Sequence, residues 1–300
     1  MSEFAEKQQI PYPLLSDVHS DVIRRYDILN TEIAPGEIPV YGIPFPGTYV
    51  TDEDGVVVAK FFHDSYKKRD SPEILIDAAL GNIQLDEDAP QATRGDQEVR
   101  VTATVRGGKG TIRQGIVRHL VVRFEMGSGL HVYGEPVPEG MLPVRIEVAS
   151  IPGLVFMQEI RPPSEALRLS EMGLELQVWS GTADFILPFY PTGELASEVR
   201  PLDMDSVNLE VSVRFQACDA HTCLLPRTEN LALEVPLDVV DVPALGLHMG
   251  HGQREATYSS MPHARRLFAR KIRESPLGAI RFVAKMLGMQ IRARLRQLKS

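Results

Sequence analysis

The two cysteines of this chain lie close together. Cys218 and Cys223 are the only cysteines in 300 residues, and they follow an alternating apolar run, shortly before Pro226. Thiol–disulfide exchange needs an accessible thiolate and a second thiol close enough to resolve a mixed disulfide. Four intervening residues across a turn can bring the Cα atoms within the roughly 4.4–6.8 Å that a disulfide requires. The spacing predicts a redox pair, with a structural disulfide, inert thiols or half of a metal site as alternatives.

The residues around the two cysteines help to distinguish these alternatives. A protonated His221 would lower a thiol pKa, whereas Asp219 would oppose that change. A structural disulfide that closes so short a loop would stabilise the folded state by only about 2 kcal/mol in the chain-entropy model. Zinc bound through Cys218, His221 and Cys223 would lack a fourth ligand at standard spacing. We predict Cys218 and Cys223 as catalytic, His221 as supporting, and no metal or cofactor. Cys218 is favoured as the attacking residue because residues 224–226 (LLP) should leave Cys223 less open.

The composition is that of a globular protein with an uneven charge distribution. Hydrophobic residues make up 43% and charged residues 24% of the chain, which are ordinary values. The net charge is -8, yet residues 254–300 hold twelve Lys and Arg against two Glu. Such a basic tail suits an anionic membrane surface or docking on the acidic body. Nucleic acid is the least favoured partner, since no recognised nucleic-acid fold accompanies the tail.

The sequence contains no apparent membrane span or export signal. No apolar run approaches the ~20 residues that a membrane-spanning helix needs. Residues 1–9 have neither a basic nor an apolar leader region. From the visible N-terminus we therefore expect a cytoplasmic location.

Residues 1–83 show an α/β pattern. Ser16-Asp17 is expected to cap a helix that carries apolar residues at near-helical spacing up to Leu29. Residues 48–50 and 56–62 flank a turn and predict a β-hairpin. A second helix should begin at Ser71-Pro72 and end at Gly81.

The pattern changes to strands after residue 97. Residues 84–97 are acidic and poor in apolar residues, which predicts a linker. Apolar residues then alternate in runs separated by turn residues, which is typical of an antiparallel β-sandwich. Trp179 is predicted to lie in its core. The clearest runs are residues 99–105, 120–124, 209–215 and 231–237.

The first segment resembles a known redox family. The matching segments are residues 10–17 (IPYPLLSD), 22–24 (VIR), 42–50 (GIPFPGTYV) and 54–57 (DGVV). Together they resemble the C-terminal half of the AhpC/TSA, or peroxiredoxin, family over residues 4–80, a thioredoxin-like fold. The resemblance implies that Pro46 is the cis-proline that faces the active-site cysteine. Residues 1–217 contain no cysteine, so the family's peroxidatic site is expected to be truncated or lost.

The second segment resembles the N-terminal domain of the thiol:disulfide interchange protein DsbD, an immunoglobulin-like sandwich. The resemblance depends on residues 211–226 (VSVRFQACDAHTCLLP), where a strand leads through an aromatic residue and Gln216 to the cysteines. It implies that Cys218 and Cys223 form a reversible disulfide that passes electrons to partner proteins. It also implies an oxidising compartment such as the periplasm. The visible N-terminus lacks an export signal, and a truncated N-terminus would explain that difference.

The sequence thus predicts an α+β multidomain chain. The predicted function is thiol–disulfide exchange in a peroxiredoxin-like antioxidant system, with a thioredoxin-like or redoxin partner. The alternative is a non-enzymatic binding or scaffold protein that uses the sandwich for a protein partner and the tail for an anionic surface. The predicted segments are a partial thioredoxin-like module (1–83), a linker (84–97), an immunoglobulin-like β-sandwich (98–242), a flexible segment (243–261) and a basic amphipathic helical tail (262–300).

Overall fold

The computed structural model describes residues 2–34, 41–63, 68–169, 174–192, 195 and 204–238, with isolated positions between 269 and 278. These residues are mostly β-sheet with few helices. Contacts divide the chain into two compact units, one of Met1–Arg69 with Leu247–Thr257 and one of Asp70–Gly246 with Tyr258–Ser300. The predicted segments 243–261 and 262–300 lie outside the described residues, apart from those isolated positions. No helix among the described residues is long and apolar enough to cross a bilayer.

The first unit contains short helices and one hairpin. The predicted hairpin is confirmed, since its two strands pair in antiparallel fashion. Asp52 closes the turn between them by accepting hydrogen bonds from the backbone N–H groups of Asp54 and Val56 at 3.1 and 2.8 Å. The elements are α1 (Ser2–Lys7), α2 (Asp21–Arg25), β1 (Gly47–Thr51) and β2 (Val57–Phe62).

The first predicted helix is shorter than expected. The helix α2 covers five residues, because Ser20 before it and Asp27 after it have φ values of 58° and 55°. A right-handed helix cannot continue through that left-handed conformation. Asp17 does cap the helix, since its carboxylate accepts hydrogen bonds from the N–H groups of Asp21 and Ile23 at 3.0 and 2.8 Å.

The chain approaches β1 along an extended path. The N–H of Phe45 donates to the carbonyl of Ile28 at 2.7 Å, and the strand begins at Gly47. The Phe45–Pro46 bond is trans, and the cis bond found in the described residues is Glu135–Pro136. The expectation of a cis bond at Pro46 is therefore wrong; Pro46 leads directly into β1 at Gly47.

The remaining elements, from residue 69 onward, are one α-helix, a 3₁₀ turn and fourteen strands within the described residues. They are α3 (Pro72–Leu80), the 3₁₀ turn Gly108–Gly110, β3 (Arg69–Asp70), β4 (Gln91–Gly95), β5 (Val99–Arg106), β6 (Ile112–Arg113), β7 (Ile116–Met126), β8 (His131–Tyr133), β9 (Arg145–Val148), β10 (Leu154–Phe156), β11 (Glu165–Leu169), β12 (Leu174–Ser180), β13 (Thr182–Pro191), β14 (Ser206–Phe215), β15 (Ala217–Cys218) and β16 (Arg227–Asp238).

Three sheets organise the second unit. The main sheet has the order β10-β13-β7-β5-β4, with β3 also paired to β7, and the facing sheet has the order β6-β16-β14-β9. A smaller lateral sheet has the order β11-β12-β8-β15. Phe124 of the main sheet packs edge-on against Phe215 of the facing sheet, with ring centroids 5.3 Å apart. The predicted β-sandwich is therefore confirmed.

Alternation along the strands explains the sandwich. Every second residue of β14 is buried, and the same is true of β16 from Leu231 to Val235. Because successive side chains of a strand point to opposite faces, this pattern places one face of the facing sheet in the core. Trp179 is 6% exposed in that core, as predicted, and its ring lies 4.9 Å from that of Phe185.

The strand β5 is buried on both faces over most of its length. On its polar face, Thr104 donates to the carbonyl of Pro90 at 3.0 Å. Arg106 at the end of β5 donates from Nε and Nη2 to the carboxylate of Asp77 in α3 at 2.7 and 2.8 Å. The helix begins at Pro72 and ends before Gly81, as predicted. It belongs to the second unit, whereas the sequence analysis assigned residues up to 83 to the first module.

Part of the predicted linker is a strand. The strand β4 pairs with β5 in antiparallel fashion, and the hydroxyls of Thr93 and Thr102 are hydrogen-bonded at 3.0 Å. Polar residues are tolerated here because β4 is at the edge of the main sheet, where its side chains are mostly exposed. The other predicted domain boundaries remain predictions.

Candidate functional site

The cysteine segment begins where the chain passes from one sheet to another. The strand β14 of the facing sheet ends at Phe215, and β15 pairs with β8 in the lateral sheet. Ala217 packs in the sandwich core. Cys218, the next residue, lies in a second apolar cluster with Tyr133, Leu176 and Val178. The change of sheet therefore places Cys218 at the edge of the lateral sheet.

Cys218 and Cys223 form a disulfide, and their Cα atoms are 4.0 Å apart. The turn between them is held by Asp219, whose Oδ1 accepts hydrogen bonds from the N–H groups of His221 and Thr222 at 2.7 and 2.6 Å. The N–H of Asp219 also donates to the carbonyl of Thr222 at 2.9 Å. This side-chain-to-backbone pattern is a common way for Asp to form a turn. The turn thus has hydrogen bonds of its own besides the disulfide.

Asp219 introduces a negative charge next to the disulfide. The N–H groups of His221 and Thr222 hold the pKa of the Asp219 carboxyl below its usual value. The carboxylate is therefore ionised at neutral pH. It opposes the formation of a second negative charge on the adjacent Cys218 sulfur.

The two cysteines differ in exposure. Cys218 is 1% exposed, whereas Cys223 is exposed to solvent. The expectation that residues 224–226 shield Cys223 is wrong, because Leu225 is 85% exposed. Its neighbour Leu224 is fixed instead, since its N–H donates to the carbonyl of Ala217 at 2.8 Å. A thiolate from another molecule can thus approach Cys223, whereas Cys218 is covered.

Gln216 joins two segments beside the disulfide. Its Oε1 accepts a hydrogen bond from the N–H of Leu142 at 3.2 Å, and its Nε2 donates to the carbonyl of Leu224 at 3.1 Å. The residue is 9% exposed. In the sequence, Gln216 is recognisable only as part of the segment that resembles DsbD. No signal in the sequence indicated that its side chain bonds to the segment that carries Met141 and Leu142.

His131 and Tyr133 of β8 also belong to the site, and the sequence analysis did not identify them. His131 is the direct antiparallel partner of Cys218. Its Nε2 lies 3.1 Å from the hydroxyl of Tyr133. Burial lowers the pKa of the His131 imidazole, with Asp219 opposing the change, and burial raises the pKa of Tyr133. The only sequence signal for these two residues is the alternation of apolar and polar side chains in residues 130–133 (LHVY), which indicates a short strand.

The predicted site residues are only partly brought together. Cys218, His221 and Cys223 share one loop, in which His221 is exposed. Pro46 lies in the first unit. Among the described residues, no group of three or more His, Cys, Asp or Glu is placed to hold a metal ion, and both cysteine sulfurs are engaged in the disulfide. The disulfide and its immediate neighbours are therefore the candidate site.

Comparison with known families confirms the first resemblance. A model of the AhpC/TSA family matches residues 1–60, a segment that ends in β2. The sequence analysis gave residues 4–80 for the same resemblance. The search among curated proteins finds no match.

Comparison with solved structures finds domains that are similar to part of this chain. The N-terminal periplasmic domain of ScsB from Proteus mirabilis is 16% identical, with a TM-score of 0.35, over 50% of this chain and 52% of that one. The chain thus spans about half the length of that relative. The reduced DsbD N-terminal domain from Neisseria meningitidis is 13% identical, with a TM-score of 0.28, over 49% of this chain and 85% of that one. A structure of the complex between the DsbD and PilB N-terminal domains from the same organism is 12% identical, with a TM-score of 0.28, over 52% of this chain and 94% of that one.

Proposed function

We propose that this protein is a thiol–disulfide oxidoreductase whose Cys218–Cys223 pair carries two electrons between protein thiols. The observation that carries the proposal is the unequal exposure of the disulfide, with one covered and one exposed cysteine. An exchange disulfide needs one accessible sulfur for an incoming thiolate and a second sulfur that leaves and later resolves the intermediate. Cys223 and Cys218 fit these two roles.

The exchange proceeds in two balanced steps. A partner thiolate attacks the sulfur of Cys223, a bond forms between the two, and the sulfur of Cys218 leaves as a thiolate that takes a proton from solvent. A second thiol of the partner then gives up its proton and attacks the partner's own sulfur in the mixed disulfide, which releases the Cys223 thiolate. The partner dithiol is oxidised to a disulfide and the pair is reduced to two thiols. The reverse sequence returns the electrons to an acceptor.

A purely structural role explains the disulfide less well. Closing a loop of this size stabilises the folded state by about 2 kcal/mol in the chain-entropy model. The turn is already held by the Asp219 carboxylate, which accepts hydrogen bonds from the N–H groups of His221 and Thr222.

The AhpC/TSA match over residues 1–60 supports a redox context for the pair. Residues 1–217 contain no cysteine, so we assign no peroxidase step to this chain. The partner that fits is a thioredoxin-like or redoxin protein with an accessible dithiol. We place the exchange in an oxidising compartment such as the periplasm, because disulfides persist there.

A binding or scaffold role is the second candidate. It is favoured by the exposed apolar side chains of the first unit, among which Leu15 and Val18 are 87% and 79% exposed. Clustered exposed apolar residues mark interaction surfaces in many proteins. In that case the disulfide would be a bystander.

A redox titration separates the two candidates. The full chain is equilibrated in graded glutathione buffers, and free thiols at Cys218 and Cys223 are counted by mass spectrometry after alkylation. A reversible two-electron transition between about -300 and -120 mV, the range of exchange proteins, supports the proposal. A disulfide that stays oxidised well below that range favours the binding role.

A further inference from the structure

Reduction of the disulfide places a negative charge in a covered position. When a partner thiolate attacks Cys223, the sulfur that leaves is that of Cys218, which is 1% exposed. Burial among apolar side chains disfavours a thiolate. The adjacent carboxylate of Asp219 disfavours it further. A hydrogen-bond donor next to Cys218 would offset both effects.

His131 is in the position to be that donor. It faces Cys218 directly across the β8–β15 pair. Directly opposite residues of an antiparallel pair have Cβ atoms roughly 4.5–5.5 Å apart and share one face of the sheet. On its other side, His131 faces Ser180 of β12. The charged or titratable groups around His131 are Cys218, Tyr133 on its own strand and the nearby Asp219.

Tyr133 can set which nitrogen of His131 carries the proton, because its hydroxyl lies 3.1 Å from Nε2 and either atom of this pair can be the donor. Burial raises the pKa of the Tyr133 hydroxyl, so this group keeps its proton and can donate to Nε2 of His131, 3.1 Å away. Burial also lowers the pKa of His131, so the imidazole is neutral near pH 7. A neutral imidazole that accepts at Nε2 carries its hydrogen on Nδ1. The Nδ1–H is then the donor left for a neighbour.

We propose that His131, held in its Nδ1–H form by Tyr133, donates a hydrogen bond to the Cys218 thiolate when the disulfide opens. The sulfur–sulfur bond between Cys218 and Cys223 breaks, and a new one forms between Cys223 and the partner sulfur. The electron pair remains on the Cys218 sulfur. His131 keeps its proton, and Cys218 is protonated from solvent afterwards. This inference rests on the proposed function for its physiological meaning, although the hydrogen bond itself exists independently of any partner.

The test is the pKa of Cys218 in the reduced full chain. Alkylation rates with iodoacetamide are measured from pH 6 to 11, and peptide mass spectrometry separates Cys218 from Cys223. We expect His131→Leu to raise the pKa of Cys218 by at least one unit, about a tenfold loss of thiolate at a given pH. His131→Gln retains a side-chain donor and should recover part of the shift. His19→Leu, the same substitution at an exposed histidine of the first unit, is the control and should leave the pKa of Cys218 unchanged.

Tyr133→Phe provides a second variant that preserves the aromatic ring in the apolar cluster. It removes the hydroxyl that fixes the tautomer and should raise the pKa of Cys218 by a smaller amount, so the proposal stays testable if His131→Leu does not fold. An unchanged Cys218 pKa in either folded variant overturns the proposal, and so does an equal shift in His19→Leu. The titration needs no exchange partner. If the cysteine pair shows no reversible transition in the glutathione titration, the proposed function is refuted. The pKa of Cys218 in the chemically reduced chain still tests the hydrogen bond from His131.

Discussion

The unequal exposure of the two cysteines assigns them different roles in exchange. Cys223 is accessible and Cys218 is 1% exposed. In Cys218→Ser the accessible thiol has no resolving partner, so it should accumulate a mixed disulfide with a small disulfide such as oxidised glutathione or with an oxidised thioredoxin-like protein. In Cys223→Ser the remaining thiol is covered, and we expect at least a tenfold slower mixed-disulfide formation. Mass spectrometry of the intact adducts measures both rates. Equal rates would show that exposure in the oxidised form does not decide which sulfur reacts.

Gln216 should contribute to stability through its two hydrogen bonds. Gln216→Leu has a similar volume but leaves the N–H of Leu142 and the carbonyl of Leu224 without their partners. Each lost hydrogen bond costs about 1 kcal/mol, and a buried unsatisfied group costs more. We expect the free energy of unfolding to fall by about 2 kcal/mol in urea with the disulfide intact. Exposed Gln97→Leu is the control, with an expected change below about 0.5 kcal/mol. Equal effects of the two variants would contradict the assignment.

His119 makes the stability of the second unit depend on pH. It faces Arg106 across the β5–β7 pair, and burial lowers the pKa of its imidazole from 6.5 to about 4, although Asp70 and Asp77 oppose the shift. The unfolded chain therefore binds the proton more tightly than the folded one. The free energy of unfolding should fall as the pH drops from about 6.5 to about 4, by up to about 3 kcal/mol from this group.

Urea unfolding at pH 7, 6, 5 and 4 measures this dependence. His119→Gln should flatten the curve in that window, because glutamine does not titrate. His221→Gln, which removes an exposed imidazole, should leave the slope as it is in the wild type. A His119→Gln chain that loses stability as steeply as the wild type would show that other groups cause the acid sensitivity.

At the scale of single residues, the sequence allowed only part of the site to be predicted. Cys218 and Cys223 could be found because they are the only cysteines and lie close together. Gln216, His131 and Tyr133 could not, because their roles depend on pairing between β8 and β15, strands of three and two residues. The exposure of Leu225 was predicted wrongly, since an apolar residue next to a buried strand can still point to solvent.

At the scale of elements, the contact of α3 with β5 is the one whose removal should be most costly. Asp77 and Arg106 form a two-point ion pair with side chains only 9% and 10% exposed. Removing one partner leaves a buried charge without compensation, which typically costs about 3–5 kcal/mol. We therefore expect Asp77→Ala to destabilise the second unit by about 3 kcal/mol in urea. Hydrogen exchange should show that α3 loses protection first.

Two further variants make that experiment specific. The double variant Asp77→Leu with Arg106→Met replaces both charges by apolar side chains and should recover most of the lost stability. Glu175→Gln removes one charge from the exposed Arg168–Glu175 pair, whose side chains are 83% and 49% exposed, and should change stability by less than about 0.5 kcal/mol. If Asp77→Ala behaves like Glu175→Gln, the buried pair does not hold the helix.

Long elements could be predicted and short or polar ones could not. The runs within β14 and β16 were identified because a half-buried strand repeats its apolar residues with a period of two, and those within β5 and β7 because apolar residues dominate runs that turn residues flank. The edge strand β4 was assigned to a linker, since its polar side chains face solvent and leave no apolar repeat. The helix α2 was overextended because its apolar spacing continues past Asp27, where the backbone turns left-handed. Backbone conformation of that kind leaves no mark in apolar periodicity.

At the scale of the whole molecule, the two units differ in how well they bury apolar side chains. The second unit has a continuous core that joins the main and facing sheets. In the first unit, Ile33 is 2% exposed, but many large apolar side chains are more than half exposed. They are Phe4, Tyr12, Leu15, Val18, Val22, Tyr26, Val56 and Val58. Because burial of apolar surface is the main driving force of folding, the second unit should fold alone and the first should not.

Expression of the two units as separate fragments tests this difference. Residues 70–246 should unfold in one cooperative urea transition and retain the Cys218–Cys223 disulfide, since the core and the site both lie within them. Residues 1–69 should give a broad transition and bind the dye 1-anilinonaphthalene-8-sulfonate, which reports exposed apolar surface. A cooperative transition without dye binding in residues 1–69 would mean that the unit is stable despite its exposed residues. A failure of residues 70–246 to fold would mean that the sandwich depends on the rest of the chain, and that its redox chemistry has to be studied in the full protein.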